Sequence, residues 1–394
     1  MSQTVSGIDK VCFVGAGTMG CYNALAAAVC GYSVVLYDPS ESSLAAIPQR
    51  QREMANMLVG AGWCSEEDVE AAAGRTVVTC DLGEACKGAD LVNESVFEDL
   101  KLKRQVHAEL DAICDAETLL TTNSSALLVS DIEVAVTRCD RFAALHSHYA
   151  SPLVDIVPGR STRPELVALL EAYVRSLRGV PLVMKKEHPG YVLNAMLGNV
   201  LGTALAMLVG KQFSVPAIDA SWLEAQQALM GPFGLIDLFG LGVLRDAWGH
   251  RDRMDALQPF KHQIVELLEQ KLAAGKLGMH SGEGFYTYPE PAYGSQDFAS
   301  HADDRCARLL QAALMAQAIR LVAGEVVSVE QVDLAWSVGM HAPRGPFALI
   351  AELGKVQVLS QLQESGLQGL LSAKEVTQAS SWLTAHVNDN GELN

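Results

Sequence analysis

The fold of the N-terminal half of the chain is indicated by one stretch, Val11-Cys12-Phe13-Val14-Gly15-Ala16-Gly17-Thr18-Met19-Gly20. It is an apolar run of strand type that enters a glycine-rich turn, and an alanine-rich segment of helical type follows as far as Cys30. A second strand-like run begins at Ser33 and ends at Asp38. A glycine fingerprint between a strand and a helix, with an acidic residue after the next strand, is typical of a dinucleotide-binding βαβ unit.

Each glycine of this turn has a physical task. Gly15 permits the tight turn, Gly17 lets a pyrophosphate approach the backbone, and Gly20 lets helix and strand pack closely. The N–H groups at the start of the helix are suited to bind the phosphates. Asp38 accepts hydrogen bonds from a ribose 2′-hydroxyl and repels a 2′-phosphate, so we expect NAD(H) rather than NADP(H). The predicted cofactor contacts of this unit are Gly15, Gly17, Thr18, Met19, Gly20 and Asp38.

The bulk composition is that of an ordinary globular protein, and it argues against one class of partner. Of the 394 residues, 49% are hydrophobic and 19% are charged, and the formal net charge is −17. A nucleic-acid backbone needs a basic footprint, so we do not expect a nucleic-acid partner. An anionic substrate is compatible with this charge only if a local basic patch receives it.

The cysteines and the apolar stretches bear on location. Nine cysteines show no CxxC or CxxH spacing, so we expect no metal site and a reducing compartment. Residues 1–7 are polar and predict no signal peptide. The longest apolar stretch, residues 196–209, is shorter than the ~20 residues of a membrane span. We therefore expect a cytoplasmic protein without a membrane partner.

Short β-rich runs alternate with helical ones from Val11 to about Met184. This alternation predicts a mostly parallel, doubly wound α/β sheet of Rossmann type. After His188 strand signals become scarce, which predicts an all-α C-terminal region. The predicted strands are Val11–Val14, Val34–Tyr37, Thr76–Cys80, Leu91–Glu94, Leu119–Thr122, Phe142–His146 and Leu182–Met184.

The helical half contains an internal repeat with an offset of 114 residues. The segments 214–219 and 231–236 recur as 328–333 and 345–350, and Trp222 recurs as Trp336. The stretch 289–302, rich in Pro, Tyr, Gly, Ser and Asp, is predicted to link the two copies. The predicted domains are residues 1–186 for NAD binding, 187–290 for the first helical copy and 303–387 for the second.

Six segments in order along the chain are Val14–Gly20, Asn93–Lys103, Thr122–Leu127, Arg141–His146, Pro189–Asn194 and Ser281–Tyr286. Together they resemble the signature segments of L-3-hydroxyacyl-CoA dehydrogenases and of relatives that act on free 3-hydroxy acids, such as gulonate and carnitine dehydrogenases. The resemblance covers most of the chain. It implies an NAD-dependent enzyme that interconverts an L-3-hydroxyacyl-CoA and its 3-oxoacyl-CoA by hydride transfer.

The resemblance and the chemistry suggest the same catalytic residues. Hydride transfer from a secondary alcohol needs a base for the hydroxyl proton, and a histidine at a strand end, His146, suits that task. Asp155 takes the place of the family's acidic partner. Ser125 and Asn194 are predicted to hydrogen-bond the substrate oxygen, although a strand-cap role for Ser125 and a helix-cap role for Asn194 compete. Further cofactor contacts implied by the resemblance are Glu98, Lys103 and Asn123.

One departure from the family pattern concerns the histidine–acid pair. The family places a glutamate twelve residues after its histidine, where this chain has Pro158, and Asp155 follows His146 by nine. Because the loop is shorter by about three residues and aspartate is shorter by one methylene, the pair is expected to need a backbone displacement or a water, or to be absent. His148, on the same strand face as His146, is a rival base.

A second departure concerns coenzyme A. Members that bind CoA tend to carry a Lys-Gly-Lys turn, and the corresponding stretch here, residues 59–65, has no cation. The nearest basic residues in sequence are Arg50, Arg52 and Arg75. Two alternatives to a 3-hydroxyacyl-CoA dehydrogenase therefore stay open: a dehydrogenase of a free 3-hydroxy acid, and a catalytically weakened NAD-binding structural protein.

The repeat also predicts how the chain assembles. In family members with one helical module, that module pairs with its copy from a second chain. Here the second copy lies in the same chain, and the offset of 114 places Arg308 opposite Asn194. We expect an intramolecular pseudo-dimer with one active site in a monomeric protein, with a homodimer as the alternative.

Overall fold

The computed structural model describes residues 4–250, 256–388 and 391–393, with only the backbone at 249 and 250. The chain divides into two compact units, one ending at Tyr191 and the other beginning at Val192. The first unit is an α/β structure and the second is helical, as the alternation of sequence patterns predicts.

The first unit is built on one eight-stranded sheet with strand order β3-β2-β1-β4-β5-β6-β7-β8. Neighbouring strands are parallel except β6 and β7, which are antiparallel. The strands are β1 Lys10–Val14, β2 Ser33–Tyr37, β3 Thr76–Thr79, β4 Leu91–Glu94, β5 Leu119–Thr122, β6 Phe142–Ser147, β7 Leu153–Pro158 and β8 Val180–Val183. All seven predicted strands are present, and the predicted parallel-dominant Rossmann sheet is confirmed.

Helices cover the sheet and close its core. They are α1 Thr18–Val29, α2 Glu41–Ala45, α3 Ile47–Gly60, α4 Glu66–Ala73, α5 Leu82–Cys86, α6 Leu100–Ile113, α7 Val129–Ile132 and α8 Pro164–Ser176. The core joins apolar side chains of β1 and α1, among them Val11 and Phe13, to Tyr32 and to Leu170 of α8. Burial of such apolar surface is the main stabilising contribution to the fold.

The strand that the sequence did not predict is β7. It carries the charged Asp155 in the middle of a buried run and ends at Pro158, and both features are unusual for a strand interior. The antiparallel pairing places Asp155 directly opposite His146 of β6, and two histidine side chains contact its carboxylate. A tertiary contact therefore overrides the local signal.

The second unit consists of helices that fall into two series related by the offset of 114. The first series is α9 Leu193–Val209, α10 Val215–Gln226, α11 Pro232–Phe239, α12 Leu241–His250 and α13 Lys261–Ala273. The second is α14 Asp304–Ala323, α15 Val329–Gly339, α16 Pro346–Leu353, α17 Lys355–Leu367 and α18 Ala373–His386. Four of the five pairs end or begin at positions that keep this offset.

The repeat extends to side-chain hydrogen bonds. In the first series the buried Asp219 accepts the N–H groups of Phe233 and Gly234 at 2.9 and 3.1 Å. In the second series Asp333 does the same for the first turn of α16, at Phe347 and at the residue after it. An acid that caps the first turn of a helix satisfies otherwise orphaned donors, which explains why both copies keep it.

The two series pack against each other at equivalent positions. The amide of Asn199 in α9 donates to the carbonyl oxygen of Ala313 in α14 at 2.8 Å, and these residues are 114 apart. The rings of Trp222 and Trp336, also equivalent, meet edge to face with centroids 6.2 Å apart. Equivalent residues touch each other only near a two-fold axis, so the unit has local pseudo-two-fold symmetry.

The segment predicted as a linker is packed rather than loose. It contains two short 3₁₀ turns, Ala292–Gly294 and Phe298–His301, and the Phe298 side chain is buried beside Tyr286. By length and composition alone, α14 could cross a membrane, although 72% of its apolar window is buried inside the protein. Such burial is the usual condition of a core helix in a globular protein.

Candidate active site

The fingerprint turn has the shape that a bound dinucleotide requires. Gly15 has a φ of +106°, and a Cβ there would lie 2.8 Å from the carbonyl oxygen of Ser95. A Cβ on Gly20 would lie 1.8 Å from the Gly15 carbonyl oxygen, so only glycine lets α1 approach the turn. Gly17, in contrast, faces open space, with no atom within 4 Å of an added Cβ. Gly17, Thr18 and the half-buried Met19 thus lie where a pyrophosphate would bind.

Asp38 lies at the end of β2 beside this turn. Its Oδ2 accepts the N–H of Ala16 at 2.9 Å and its Oδ1 accepts the N–H of Ser40 at 3.0 Å. Arg50 donates to the Ala16 carbonyl oxygen at 2.7 Å. The open surface at Gly17, the helix N-terminus and a carboxylate oriented by backbone donors together fit the pyrophosphate and adenosine ribose of NAD.

At the same edge of the sheet, His146 and Asp155 are in direct contact. His146 Nδ1 lies 2.9 Å from Asp155 Oδ2, and both side chains are buried. The antiparallel register makes the two residues direct neighbours across β6 and β7. The shortened loop therefore needs neither a displaced backbone nor a bridging water, because the acid lies on the adjacent strand.

His148 contacts the same carboxylate oxygen. Its Nε2 lies 2.9 Å from Asp155 Oδ2, and its ring centroid is 4.5 Å from that of His146. His148 follows β6 by one residue and faces the same side as His146, as the alternation predicts. We define His146, His148 and Asp155 as the hairpin cluster.

The charges of the hairpin cluster follow from its contacts. Burial acts to raise the pKa of Asp155, but the two histidines outweigh it and hold that pKa at about 2. Burial, followed by the nearby His148, lowers the pKa of His146 below its usual value, and Asp155 only partly opposes this shift. At neutral pH the carboxylate is therefore ionised and the His146 imidazole is neutral. An ionised carboxylate accepts only, so the facing Nδ1 of His146 carries its proton and Nε2 is left as a base.

Glu98 binds the loop that carries Ser125. Its Oε1 accepts from Ser124 Oγ at 2.5 Å and from the N–H groups of Ser125 and Ala126 at 3.0 and 2.8 Å. Burial acts to raise the pKa of Glu98, but Lys103 and these donors lower it. Its predicted place beside the cofactor is compatible with this geometry, and the geometry adds a positioning role toward Ser125.

Lys103 and Asn123 are engaged inside the first unit. The Lys103 ammonium contacts Glu94 Oε1 at 2.7 Å, Glu98 Oε2 at 3.3 Å and the Val96 carbonyl oxygen at 3.3 Å. Three acceptors match its three protons, so we expect Lys103 to act through Glu98. Asn123 Oδ1 accepts the N–H of Ser147 at 2.9 Å and so joins the ends of β5 and β6.

Two residues without a predicted role now stand out. Tyr191 lies with its ring centroid 5.4 Å from that of His146, is 1% exposed, and has a buried hydroxyl without a partner among the described residues. Arg178 lies over the ring of Trp63 at 5.5 Å and donates to the Trp63 carbonyl oxygen. Only the hinge motif pointed to Tyr191, and no sequence signal connects Arg178 with residues 59–65, because 115 positions separate it from Trp63.

Asn194 and its counterpart in the repeat both lie in the second unit. Asn194 lies in the first turn of α9, whose N-cap position is Val192, so a helix-cap role for Asn194 is wrong. In the second series, Arg308 occupies the equivalent position and faces Glu364 at 3.5 Å. The second copy therefore lacks the amide that the first presents.

The chain matches known families over most of its length. Residues 10–188 match the 3-hydroxyacyl-CoA dehydrogenase NAD binding domain. Residues 190–288 and 307–391 both match the 3-hydroxyacyl-CoA dehydrogenase C-terminal domain. The C-terminal domain is thus present twice, in agreement with the repeat of 114 residues.

Comparison with individual proteins also indicates this family. Mitochondrial hydroxyacyl-coenzyme A dehydrogenase from Homo sapiens is 31% identical over 292 residues, which cover 71% of this chain and 91% of the relative. A 5-formyl-3-hydroxy-2-methylpyridine 4-carboxylate 5-dehydrogenase from Mesorhizobium japonicum is 27% identical over 291 residues, with the same coverages. The crystal structure of 3-hydroxybutyryl-CoA dehydrogenase from Escherichia coli K12 shares the fold, with a TM-score of 0.78 at 21% identity over 96% of this chain and 99% of that one.

These matches agree with the fingerprint turn and with the order of the signature segments. The chain belongs to the 3-hydroxyacyl-CoA dehydrogenase family, and it is an oxidoreductase that acts on CH–OH groups with NAD as its cofactor.

Proposed function

We propose that this protein interconverts an L-3-hydroxyacyl-CoA and its 3-oxoacyl-CoA, with the His146–Asp155 pair as proton acceptor and donor. The observation that carries the proposal is the 2.9 Å contact between the two side chains. It lies at the carboxyl end of β6, the edge of the sheet where β1 enters the fingerprint turn. Ligands of open α/β sheets bind outside the carboxyl ends of the strands.

The pair is suited to move one proton. Asp155 accepts a hydrogen bond from the Nδ1–H of His146 and so fixes the tautomer that leaves Nε2 free to take the hydroxyl proton of the substrate. The imidazolium then formed is stabilised by the adjacent carboxylate, and it returns the proton when the ketone is reduced. Bound NAD⁺ would accept the hydride. Ser125, held by Glu98, is proposed to donate to the substrate oxygen, and the role of Asn194 toward that oxygen stays a prediction.

Arg178 supports a CoA substrate. The stretch 59–65 lacks a cation, but Arg178 supplies an exposed guanidinium at Trp63 of this stretch. A guanidinium beside an aromatic face is suited to a nucleotide phosphate and base. Arg50 and Arg75 are engaged elsewhere, with the carbonyl oxygens of Ala16 and Ala28.

Replacement Arg178→Ala is expected to raise KM for acetoacetyl-CoA about 10- to 150-fold and to leave kcat nearly unchanged, since hydrogen bonds to charged groups contribute ~1.5–3 kcal/mol. The measurement is NADH oxidation with acetoacetyl-CoA and with free acetoacetate. Replacement Arg175→Ala, one turn earlier on the surface of α8, is the control. An unchanged KM in Arg178→Ala would remove the support that Arg178 gives to CoA binding.

The second candidate is a dehydrogenase of a free polar acid. The cation-poor stretch 59–65 and the Mesorhizobium relative, whose name specifies a pyridine carboxylate, favour it. A panel of acyl-CoA thioesters and free 3-hydroxy acids decides between the two. If only free acids are turned over, the 3-hydroxyacyl-CoA proposal is wrong and the second candidate is favoured. Cofactor binding without turnover would favour a structural protein, although the direct histidine–acid contact removes the reason to expect a weakened enzyme.

Tyr191 is proposed to donate a hydrogen bond to the substrate. Burial, followed by Asp155 and Glu98, raises the pKa of Tyr191, so the phenol stays a neutral donor. A buried hydroxyl without a partner destabilises a protein by ~1–3 kcal/mol, and a ligand that accepts from it recovers that free energy. Tyr191→Phe is therefore expected to lower kcat/KM about 5- to 30-fold while the free energy of unfolding stays the same or rises.

Tyr32→Phe is the control for that experiment, because it removes a buried tyrosine hydroxyl that has hydrogen-bond partners within the protein. Its hydroxyl is hydrogen-bonded to Ser176 and to the N–H of Val5, so its loss should destabilise the fold and spare kcat/KM. Kinetics and thermal unfolding of both variants check the two roles. A Tyr191→Phe enzyme that is less stable but fully active would show that Tyr191 is only structural.

We propose that the protein is a monomer because its second helical copy occupies the face where a partner subunit would pair. The hydrogen bond from Asn199 to Ala313 and the contact of Trp222 with Trp336 support this proposal. Light scattering is expected to give the mass of one chain, and removal of the residues from about Ser300 onward is expected to cause dimerisation or aggregation. A full-length dimer at micromolar concentration would contradict it.

A cytoplasmic location is also proposed. The nine cysteines are all free thiols in the structure, which suits a reducing compartment.

A further inference from the structure

We propose that the hairpin cluster is a binding site for a divalent late transition-metal ion such as Zn²⁺, and that an ion there switches off proton transfer at His146. The inhibitory part rests on the proposed function, and the binding part does not. One donor atom of each of His146, His148 and Asp155 lies within 4.8 Å of the others. Among the described residues, this is the one group of three or more such side chains that is close enough to hold an ion.

The backbone itself brings these ligands together. His146 and His148 are two residues apart along one extended segment, so their side chains share one face. Asp155 is directly opposite His146 on the antiparallel neighbour. A His-x-His pair with a third ligand from the adjacent strand is thus held by regular strand pairing at His146 and Asp155, rather than by a loop. The expectation of no metal site rested on the spacing of cysteines, and this ligand set contains no cysteine.

The donor chemistry fits the ion. Two imidazole nitrogens and one carboxylate are borderline ligands that suit Zn²⁺ or Co²⁺. Both nitrogens already face the same oxygen of Asp155 at 2.9 Å. Tetrahedral ligation at ~2.0–2.1 Å separates ligand atoms by roughly 3.3 Å, so each of the two histidine–Asp155 distances needs to lengthen only slightly.

An unsatisfied atom provides a second, independent observation. Asp155 Oδ1 is buried and has no hydrogen-bond partner among the described residues. Buried polar atoms are nearly always paired, and a bound ion is one of the few ways to pair a buried carboxylate oxygen. An ion that binds Asp155 through both carboxylate oxygens would pair Oδ1 as well as Oδ2 and would neutralise the buried negative charge.

Occupancy has a direct chemical consequence. Without a metal, the Nδ1 proton of His146 points to Asp155 and Nε2 is the base. When Nδ1 coordinates an ion, its proton is lost from that nitrogen and one proton resides on Nε2 instead, without a net change in the ring. That Nε2–H neither accepts the hydroxyl proton nor releases its own at neutral pH, so oxidation and reduction both stop.

The binding test uses the full chain after treatment with a chelator, without substrate. We expect calorimetry to give one Zn²⁺ per chain, and Co²⁺ to produce the visible absorption of a tetrahedral ion. His148→Gln and, separately, His148→Phe are expected to weaken binding by at least ~100-fold, since even outer-shell partners of a metal contribute ~10–100-fold. His262→Gln, which alters an exposed histidine on α13, is the matched control and should bind as the unaltered chain does.

The activity test uses NADH oxidation with a 3-oxo substrate. Zn²⁺ is expected to inhibit with the half-saturation found by calorimetry, EDTA to restore turnover, and the turnover that remains in His148→Gln to resist Zn²⁺. Unchanged Zn²⁺ affinity in both His148 variants would overturn the site. Zn²⁺ bound at the cluster with turnover intact would overturn the inhibition. Failure of every 3-oxo substrate would refute the proposed function, while the Co²⁺ spectrum would still decide the site.

Discussion

Replacement of His146 by alanine is expected to lower kcat by at least ~10²-fold, the lower end of what a general base contributes. His146 is the one histidine of the hairpin cluster that is buried on a strand, and its pKa, lowered first by burial, keeps Nε2 unprotonated at neutral pH. The fingerprint turn is untouched, so NADH affinity should stay nearly the same. Single-turnover kinetics and a fluorescence titration with NADH measure the two quantities.

The control for this prediction is His148→Ala. His148 contacts the same carboxylate oxygen, so the geometry alone permits it to be the base. We expect His148→Ala to retain much more turnover than His146→Ala, because His148 faces Asp155 with Nε2, whereas His146 faces it with Nδ1 and keeps Nε2 as a base. Near-normal turnover in His146→Ala together with loss in His148→Ala would assign the proton transfer to His148.

Asp155→Asn is expected to lower kcat by at least ~10²-fold, although it removes no atom that touches the substrate. An asparagine side chain can present its NH₂ group to His146 Nδ1, which then accepts and places the ring proton on Nε2, the wrong tautomer for a base. The corresponding change in a Ser–His–Asp triad lowers kcat by ~10⁴-fold through this effect. Steady-state kinetics in both directions measure the loss, and thermal unfolding checks that the hairpin remains folded.

The tautomer argument has a distinct signature for Asp155→Asn. A variant that is only destabilised should regain activity at lower temperature or with saturating NADH, whereas a wrong tautomer should lower kcat under all these conditions. Full turnover in a folded Asp155→Asn enzyme would show that catalysis does not depend on the 2.9 Å contact between Asp155 and His146.

The parts of the fold that the sequence predicts are those with a local signal. The strand–turn–helix run around Gly15 depends on contiguous residues, and in the structure a Cβ on Gly15 or Gly20 would clash with the backbone, while Gly17 faces open space. The helical repeat is likewise evident in the sequence, because similar segments recur 114 residues apart, with Trp222 matched by Trp336. The two matches to the C-terminal domain confirm it. Membership of the 3-hydroxyacyl-CoA dehydrogenase family could be predicted because six short signature segments occur in the family's order along the chain.

The sequence was less informative about contacts within the site. Strand β7 has no clear strand pattern, because Asp155 interrupts its apolar run and Pro158 ends it. Counting residues from His146 to the acid therefore suggested a loop that is too short. Strand pairing, a property of register and not of spacing, brings the two side chains to 2.9 Å.

The Rossmann unit, the duplicated helical module and the set of candidate residues could all be predicted from the sequence, since each depends on patterns that neighbouring residues create. The packing of strands and helices was needed to show that Asp155 is shared by two histidines, that Glu98 holds the loop of Ser125, and that Arg178 contacts Trp63. These contacts join residues on different elements of the fold, and their distances depend on strand register and packing, which no local pattern encodes.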